Sequence, residues 1–521
     1  MFEYLRRLAT TGAAYTASSV LSKLIAVFLL PIYTHYLTPA DYGAAEVMLA
    51  SVIAASIVVR LGIIEAILRF YYVAGEEPGA VVATGFASVF WVATIASVLA
   101  LPFAGPISQA LLGHEDANLA RLAILGLWTL TMYEYALTLL RLEERARAYF
   151  GITVVNVLIT IPFTVFLIVV EGERASGILL GTYGTGAAVV LWMLFRARRR
   201  LALIPDRALL RRMFRFGLPT MPAELSLYSL NFIDRIILAR MVGLGEVGLY
   251  ALAVKFAQAM QVLARGLQLA WPPLAYSIRD DAEARRVYSQ IFTWIAGVLA
   301  FGAIGLWLES RWIVRLLAAA DYFPAYQAIG LVATGIALYA LYLAMVVILG
   351  RTGRTEFSFP ATIAAVASNV ALNLILVPSH GIVGAGIALV ASYVIVLALM
   401  YAFTQRLFPI RYEWGRLALV VLSAVALVAV GETLLPTSGA VGLISRGALW
   451  LAYPGVLFAA GFLHPEERAG LAELLRPSAI AARARGLRAE PAGSEPPKAE
   501  RPDRGPEIYE VATRDEDRSG T

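Results

Sequence analysis

The chain has 521 residues, is 59% hydrophobic with a mean hydropathy of +0.71, and is 15% charged, where soluble domains carry about 25%. It has no cysteine, which excludes disulfides, thiolate chemistry and Cys-type metal sites, and its four histidines, His35, His114, His380 and His464, show no metal-ligand spacing. The net charge of +6 does not point to nucleic acid, because the arginines sit in short connections between apolar segments and in the tail, a topological pattern.

Apolar stretches of about 20 residues, enough to cross a roughly 30 Å hydrocarbon core as helices, fall near 10–36, 42–64, 80–104, 118–140, 150–170, 176–195, 214–240, 246–270, 288–308, 325–349, 356–377, 382–404, 415–433 and 443–463. The expected class is an all-α polytopic membrane protein with about fourteen transmembrane helices. The N-terminal run superficially resembles a signal peptide. It is too long, is interrupted by Lys23 and precedes many more spans, so an uncleaved first helix is expected.

Connections on one side read RLEERAR at 141–147, RARRR at 196–200, IRDDAEARR at 278–286 and RTGR at 351–354, while those on the other are almost free of Lys and Arg. The positive-inside rule then places both termini in the cytoplasm. Residues 309–324, with Arg311 and Arg315, break this pattern and read as an amphipathic interfacial helix. Residues 465–488 read as a short cytoplasmic helix, and 489–521, rich in Pro, Glu, Arg and Gly, as a disordered tail.

A half-length repeat organises the spans. Arg6 and Arg7 recur as Arg211 and Arg212, Gly12 as Gly217, Asp41 as Glu246, Gly43 as Gly248 and Arg60 as Arg265, at a constant offset of 205 residues. Six spans separate the copies, so the halves are parallel repeats with a substrate path expected between them. The expected division is an N-terminal six-helix lobe at 1–200, a C-terminal six-helix lobe at 201–410, two further helices at 411–464 and a tail at 465–521.

A charge near the middle of a membrane helix costs about 2.5–3.5 kcal/mol on insertion scales, so the charges inside these spans mark a cavity or a partner. In the seventh span Glu224, Tyr228, Asn231 and Arg235 share one helical face, with Asp234 beside them; in the eighth, Lys255, Gln258, Gln261, Arg265 and Gln268 share another. The matching helices of the first half supply Lys23, Glu46 and Arg60. Two readings stay open for these charges. They line a cavity, or they snorkel and form internal ion pairs that lock helices together. A cavity with Lys23, Arg60, Arg235, Lys255 and Arg265 on its walls would select an anion, the guanidinium groups forking onto phosphate oxygens and lysine acting as a point charge. Glu224, Asp234 and Glu46 are candidates for ion coupling or for ion pairs. No phosphate-binding loop is present, so neither cofactor, direct ATP use nor enzymatic activity is expected.

The runs LLPIYTHYLTPADYGAAEVM at 29–48, FGLPTMPAELSLYSLNFIDRIILARMVGLGEVGLYALAVKFAQAMQVLARGLQLAWPPLAY at 216–276 and HGIVGAGIALVASYV at 380–394 resemble the polysaccharide transporter family. That family includes the Wzx-type oligosaccharide flippases of the multidrug/oligosaccharidyl-lipid/polysaccharide exporter (MOP) superfamily. The resemblance implies two six-helix lobes, alternating access, and transfer of an undecaprenyl-pyrophosphate-linked oligosaccharide across a bacterial cytoplasmic membrane. Its implied cationic cavity falls on Lys23, Arg60, Arg235, Lys255 and Arg265, and its implied partners are the lipid-linked oligosaccharide, membrane lipids, a polysaccharide polymerase and glycosyltransferases. Two C-terminal spans beyond the twelve of many members are similar to those of lipid II flippases, which keeps that substrate open as the alternative. A cation-coupled drug exporter is disfavoured by the basic residues, and a non-transporting scaffold predicts polar stripes consumed in ion pairs.

Overall fold

The computed structural model describes residues 29–468 apart from 74–76, 199–200, 230–231, 355–356 and 466. Lys23, Asn231 and the tail at 489–521 lie outside the described residues. The chain through Ala460 forms one compact unit, and Gly461 begins a second.

A short helix α1 (Leu30–Tyr36) leads to α2 (Pro39–Arg60). The TPADYG motif starts α2 earlier than hydropathy suggests. Thr38 Oγ1 accepts from the Asp41 N–H while the Asp41 carboxylate accepts from the Thr38 N–H, and Pro39 occupies the first turn, where no amide donor is needed. Left-handed Leu61 and Gly62 end α2, and α3 (Ile63–Phe70) follows. The third span runs as α4 (Pro78–Ala100), a 3-10 turn at Pro102 and α5 (Ala104–Leu112). Three long helices complete the first half: α6 (Ala117–Leu142), capped by Asp116, α7 (Ala146–Val169) and α8 (Ala175–Ala197).

The seventh span departs from the expected continuous helix. It is broken into α9 (Arg207–Gly217), α10 (Thr220–Ser229) and α11 (Ile233–Met241). Pro219 lacks the amide needed to continue α9, and the Gly217 carbonyl instead accepts from Thr220 Oγ1. The eighth span bends by 45° between α12 (Leu244–Ala257) and α13 (Ala259–Ser277). Next come α14 (Asp281–Leu317), a 3-10 turn at Ala320–Ala325 and α15 (Tyr326–Thr352). Helix α16 (Ser358–Leu407) holds the eleventh and twelfth spans, divided at Gly381, whose φ of 52° suits glycine. The last two are α17 (Trp414–Leu434) and α18 (Gly439–Ala459).

Among the described residues 10 helices are long and apolar enough to cross a membrane, 11 with α12 and α13 as one bent span, and α16, counted once among these, is divided into two spans at Gly381. The two remaining expected spans are the first, of which only α1 is described, and the broken seventh. The class is as expected: an all-helical polytopic fold of two pseudo-symmetric lobes plus a C-terminal pair. The first lobe packs around α6 and α8, the second around α15 and α16, and α17 and α18 lie against α14.

Residues 309–324 do not form a separate interfacial helix. Helix α14 runs on to Leu317, and Arg311 donates to Glu432 of α17 at 2.9 Å, while Arg315 donates to the Thr437 carbonyl at 3.0 Å. Arg446 of α18, fully buried, donates to the same Glu432 at 2.7 Å. Arg311 and Arg446 have their charge answered by Glu432 within the helix bundle, while exposed Arg315 is held on a backbone carbonyl.

The repeat is visible as a reciprocal contact. Helices α2 and α12 cross so closely that a Cβ on Gly43 would lie 2.0 Å from the Leu244 carbonyl oxygen, and one on Gly248 would lie 1.9 Å from that of Pro39. Leu244 and Gly248 are Pro39 and Gly43 shifted by 205, so each copy presents the same backbone to the other, as a two-fold axis requires. The acids of the two turns also act alike. Asp41 lies 3.9 Å from Arg174 just before α8, and Glu246 accepts from the Ile382 N–H where α16 resumes after Gly381. Each carboxylate thus faces the start of its lobe's sixth helix, where the helix dipole favours it.

A candidate anion cavity between the lobes

Where α2, α8, α10, α11, α12, α13, α15 and α16 face one another they form a cavity of about 560 Å³. Its charged lining is Glu46, Asp234, Arg235, Lys255 and Arg265, three bases against two acids.

Glu46 projects from the middle of α2 and is 6% exposed. Lys255 Nζ lies 3.2 Å from one of its oxygens and Arg235 Nη2 lies 3.9 Å from the other. A carboxylate so buried is tolerable only with such partners, and in return it fixes two bases of the second half against the wall of the first. On α11 Arg235 follows Asp234, whose Oδ1 accepts from the Arg235 N–H at 2.8 Å. Arg235 Nε is buried with no hydrogen-bond partner among the described residues, an unused donor in the cavity wall.

Arg265 sits one bend further along α13, exposed and without an ion pair among the described residues. Gln258 at the bend and Gln261 and Gln268 on α13 add amide donors and acceptors to the lining. Tyr228, Tyr339 and Tyr393 add ring faces and hydroxyls. Arg235, Lys255 and Arg265 are therefore brought to one cavity, together with Asp234 and Glu46.

Arg60 and Glu224 are placed elsewhere. Arg60, on the last turn of α2, donates from Nη1 to Glu134 of α6 and from Nη2 to Glu224 of α10, both at 2.8 Å. Neither Arg60 nor Glu224 lines the cavity. The stripe expected along one seventh-span face is split within α10, where Tyr228 lines the cavity while Glu224, one turn earlier, accepts from Arg60 instead. Sequence reasoning gave no weight to Tyr339, Tyr393 and Tyr183. Their spans are apolar, where a tyrosine reads as ordinary packing, and no nearby charge distinguishes them.

A family model described as "Polysaccharide biosynthesis protein" matches residues 9–275. No curated protein matches. Among solved structures, the lipid II flippase MurJ in an inward closed conformation is similar at 12% identity and a TM-score of 0.67, over 87% of this chain and 99% of that one. An inward-facing multidrug resistance MATE family transporter of the MOP superfamily follows at 16% identity and 0.62, over 74% and 94%. An outward-facing one gives 17% and 0.55, over 77% and 94%. These likenesses are of fold, and the neighbours are transporters and flippases rather than enzymes. With a family model covering more than half its length, the chain belongs to the polysaccharide biosynthesis protein family, and its fold is similar to those of MOP-superfamily transporters.

Proposed function

We propose that this chain is a flippase that carries a lipid-linked oligosaccharide, attached through undecaprenyl pyrophosphate, across a bacterial cytoplasmic membrane for polysaccharide biosynthesis. The observation that carries the reading is the cavity between the repeats, with Arg235, Lys255 and Arg265 on one side and glutamines and tyrosines around them. A pyrophosphate offers oxygens for forked contacts from guanidinium groups and a point contact from an ammonium. The amides and rings suit sugar hydroxyls and the apolar faces of sugar rings.

Glu46 takes the place of an anion by holding Lys255 and Arg235. An entering pyrophosphate competes with Glu46 for both. Since Glu46 belongs to the first repeat and the bases to the second, that exchange alters the contact between lobes, which is how substrate binding couples to alternating access. The lobes at 1–200 and 201–410 are the moving bodies in this proposal, with both termini cytoplasmic and the polymerase and glycosyltransferases as functional partners. Lys23 completes the cationic set in the same reading.

A second reading, a lipid II flippase, is favoured by the α17–α18 pair packed on α14. Reconstitution in vesicles loaded with either lipid-linked oligosaccharide or lipid II decides between them. Arg265→Ala should abolish most of the transport of the preferred substrate while leaving stability within about 0.5 kcal/mol, as expected for an exposed side chain without an internal partner. Undiminished transport in Arg265→Ala, Arg235→Ala and Lys255→Ala alike would overturn the role of the cavity.

A further inference from the structure

A second cavity, of about 600 Å³, lies away from the lobe interface between α6, α7 and α8, at the end of the first lobe that carries the arginine-rich connections. Its walls are apolar along most of their length, from Leu139 and Leu140 on α6, Ile152 on α7 and Trp192 on α8. Its mouth is charged, with Arg145 at the start of α7, Arg196 in the last turn of α8, and Glu143. Arg145 is 3.2 Å from Glu143, yet its side chain remains 60% exposed, and Arg196 makes no ion pair among the described residues. The two connections that meet here, 141–147 and 196–198, hold five arginines and two glutamates, so the local field is positive.

Two details mark this cleft as a place for a chain-bearing ligand. Gly151 lines it, and a Cβ there would meet nothing within 4 Å, so the opening is real space beside the helix rather than loose packing of side chains. Trp192 is 57% exposed beside the arginines, the position of an indole at a membrane–water interface. The volume falls within the roughly 300–1,000 Å³ of small-molecule sites.

We propose that this cleft binds an anionic phospholipid of the cytoplasmic leaflet, its phosphate at Arg145 and Arg196 and one acyl chain along Leu139, Ile152 and Trp192. The charge of the mouth selects the headgroup, because basic pockets between helices on the cytoplasmic side attract anionic lipids. The apolar depth separates this ligand from free phosphate. Because the cleft shares no lining residue with the central cavity, the site stands apart from the flippase reading. The leaflet follows from the positive-inside rule.

The test uses the full chain in vesicles of phosphatidylcholine containing phosphatidylglycerol, with brominated acyl chains on one lipid at a time. Trp192 emission is isolated by subtracting the spectrum of Trp192→Phe. Brominated phosphatidylglycerol should quench it several-fold more than brominated phosphatidylcholine at equal mole fraction. That preference should vanish in an Arg145→Gln/Arg196→Gln variant, and Gly151→Leu, which fills open space, should reduce quenching by the anionic lipid. Glu143→Gln should raise the preference, a gain that misfolding cannot produce. Equal quenching by both lipids, or a preference that survives loss of both arginines, overturns the proposal. Displacement by undecaprenyl pyrophosphate but not by unbrominated phosphatidylglycerol would assign the cleft to transport substrate and also overturn it.

Discussion

Arg60 and Glu224, one from each repeat, form a 2.8 Å ion pair that closes the two halves against each other at the end of α2. Two residues further on, Gly62 and Gly217 touch through their backbones, a Cβ on Gly62 falling 1.9 Å from the Gly217 carbonyl oxygen. Arg60 is buried and shared with Glu134, whereas the two carboxylates keep 38% and 39% exposure, so the clasp is strong at its centre and wet at its rim. Glu224→Gln puts a neutral amide in place of the charged acceptor that ties this guanidinium to the second repeat and leaves Glu134 as its one ionic partner among the described residues. The labelling rate of Gln261→Cys, a cavity position in this cysteine-free chain, should then rise several-fold with a soluble thiol reagent. An unchanged rate would show that the pair does not control access.

The α2–α12 crossing predicts a sharp difference between neighbouring glycines. Gly248→Ala places a methyl 1.9 Å from the Pro39 carbonyl, and backbone cannot yield as a side chain would. Overpacking costs about 1–3 kcal/mol even where side chains can move. The variant should therefore lose several degrees of thermal stability or fail to accumulate. Gly245→Ala, three residues away with nothing within 4 Å, is the control and should be neutral or slightly stabilising. Similar melting of both variants would refute the crossing.

Glu432 is the acid that joins α14, α17 and α18 through ion pairs. Glu432 accepts from Arg311 and from the fully buried Arg446, and Arg446 also donates to the Pro436 carbonyl. Removing one partner of a buried ion pair costs about 3–5 kcal/mol because the remaining charge is left uncompensated. Glu432→Ala should accordingly detach α17 and α18 from α14, read as new proteolytic cleavage near 435–438 and a lower melting temperature. A double change, Glu432→Leu with Arg446→Leu, should recover part of the loss. Absence of any recovery would mean that the pairing is not what seats these helices.

Asp234 and Glu224 differ in place, and their roles in energy coupling should differ with it. Asp234 lines the cavity beside the bases that the pyrophosphate would draw away, and Glu224 does not. In reconstituted vesicles with an imposed proton or sodium gradient, Asp234→Asn should lose gradient dependence and Glu224→Gln should keep it. Unchanged gradient dependence in both variants would exclude Asp234 from coupling.

The membrane class, most of the spans and the duplication could be read from the chain alone, because hydropathy is a property of about 20 consecutive residues and the 205-residue offset is written in Gly43, Gly248, Asp41 and Glu246. Which charges meet was not local information. Arg60 and Arg265 are repeat equivalents, yet Arg60 closes an ion pair on Glu134 and Glu224 while Arg265 lines the cavity with no ion pair among the described residues. Hydropathy likewise could not show that Arg311 would find Glu432 more than a hundred residues away, so a helix-end arginine read as interfacial. Each of these outcomes depends on the rotation of a helix about its axis and on what the facing helix offers, and both are set only when the lobes pack.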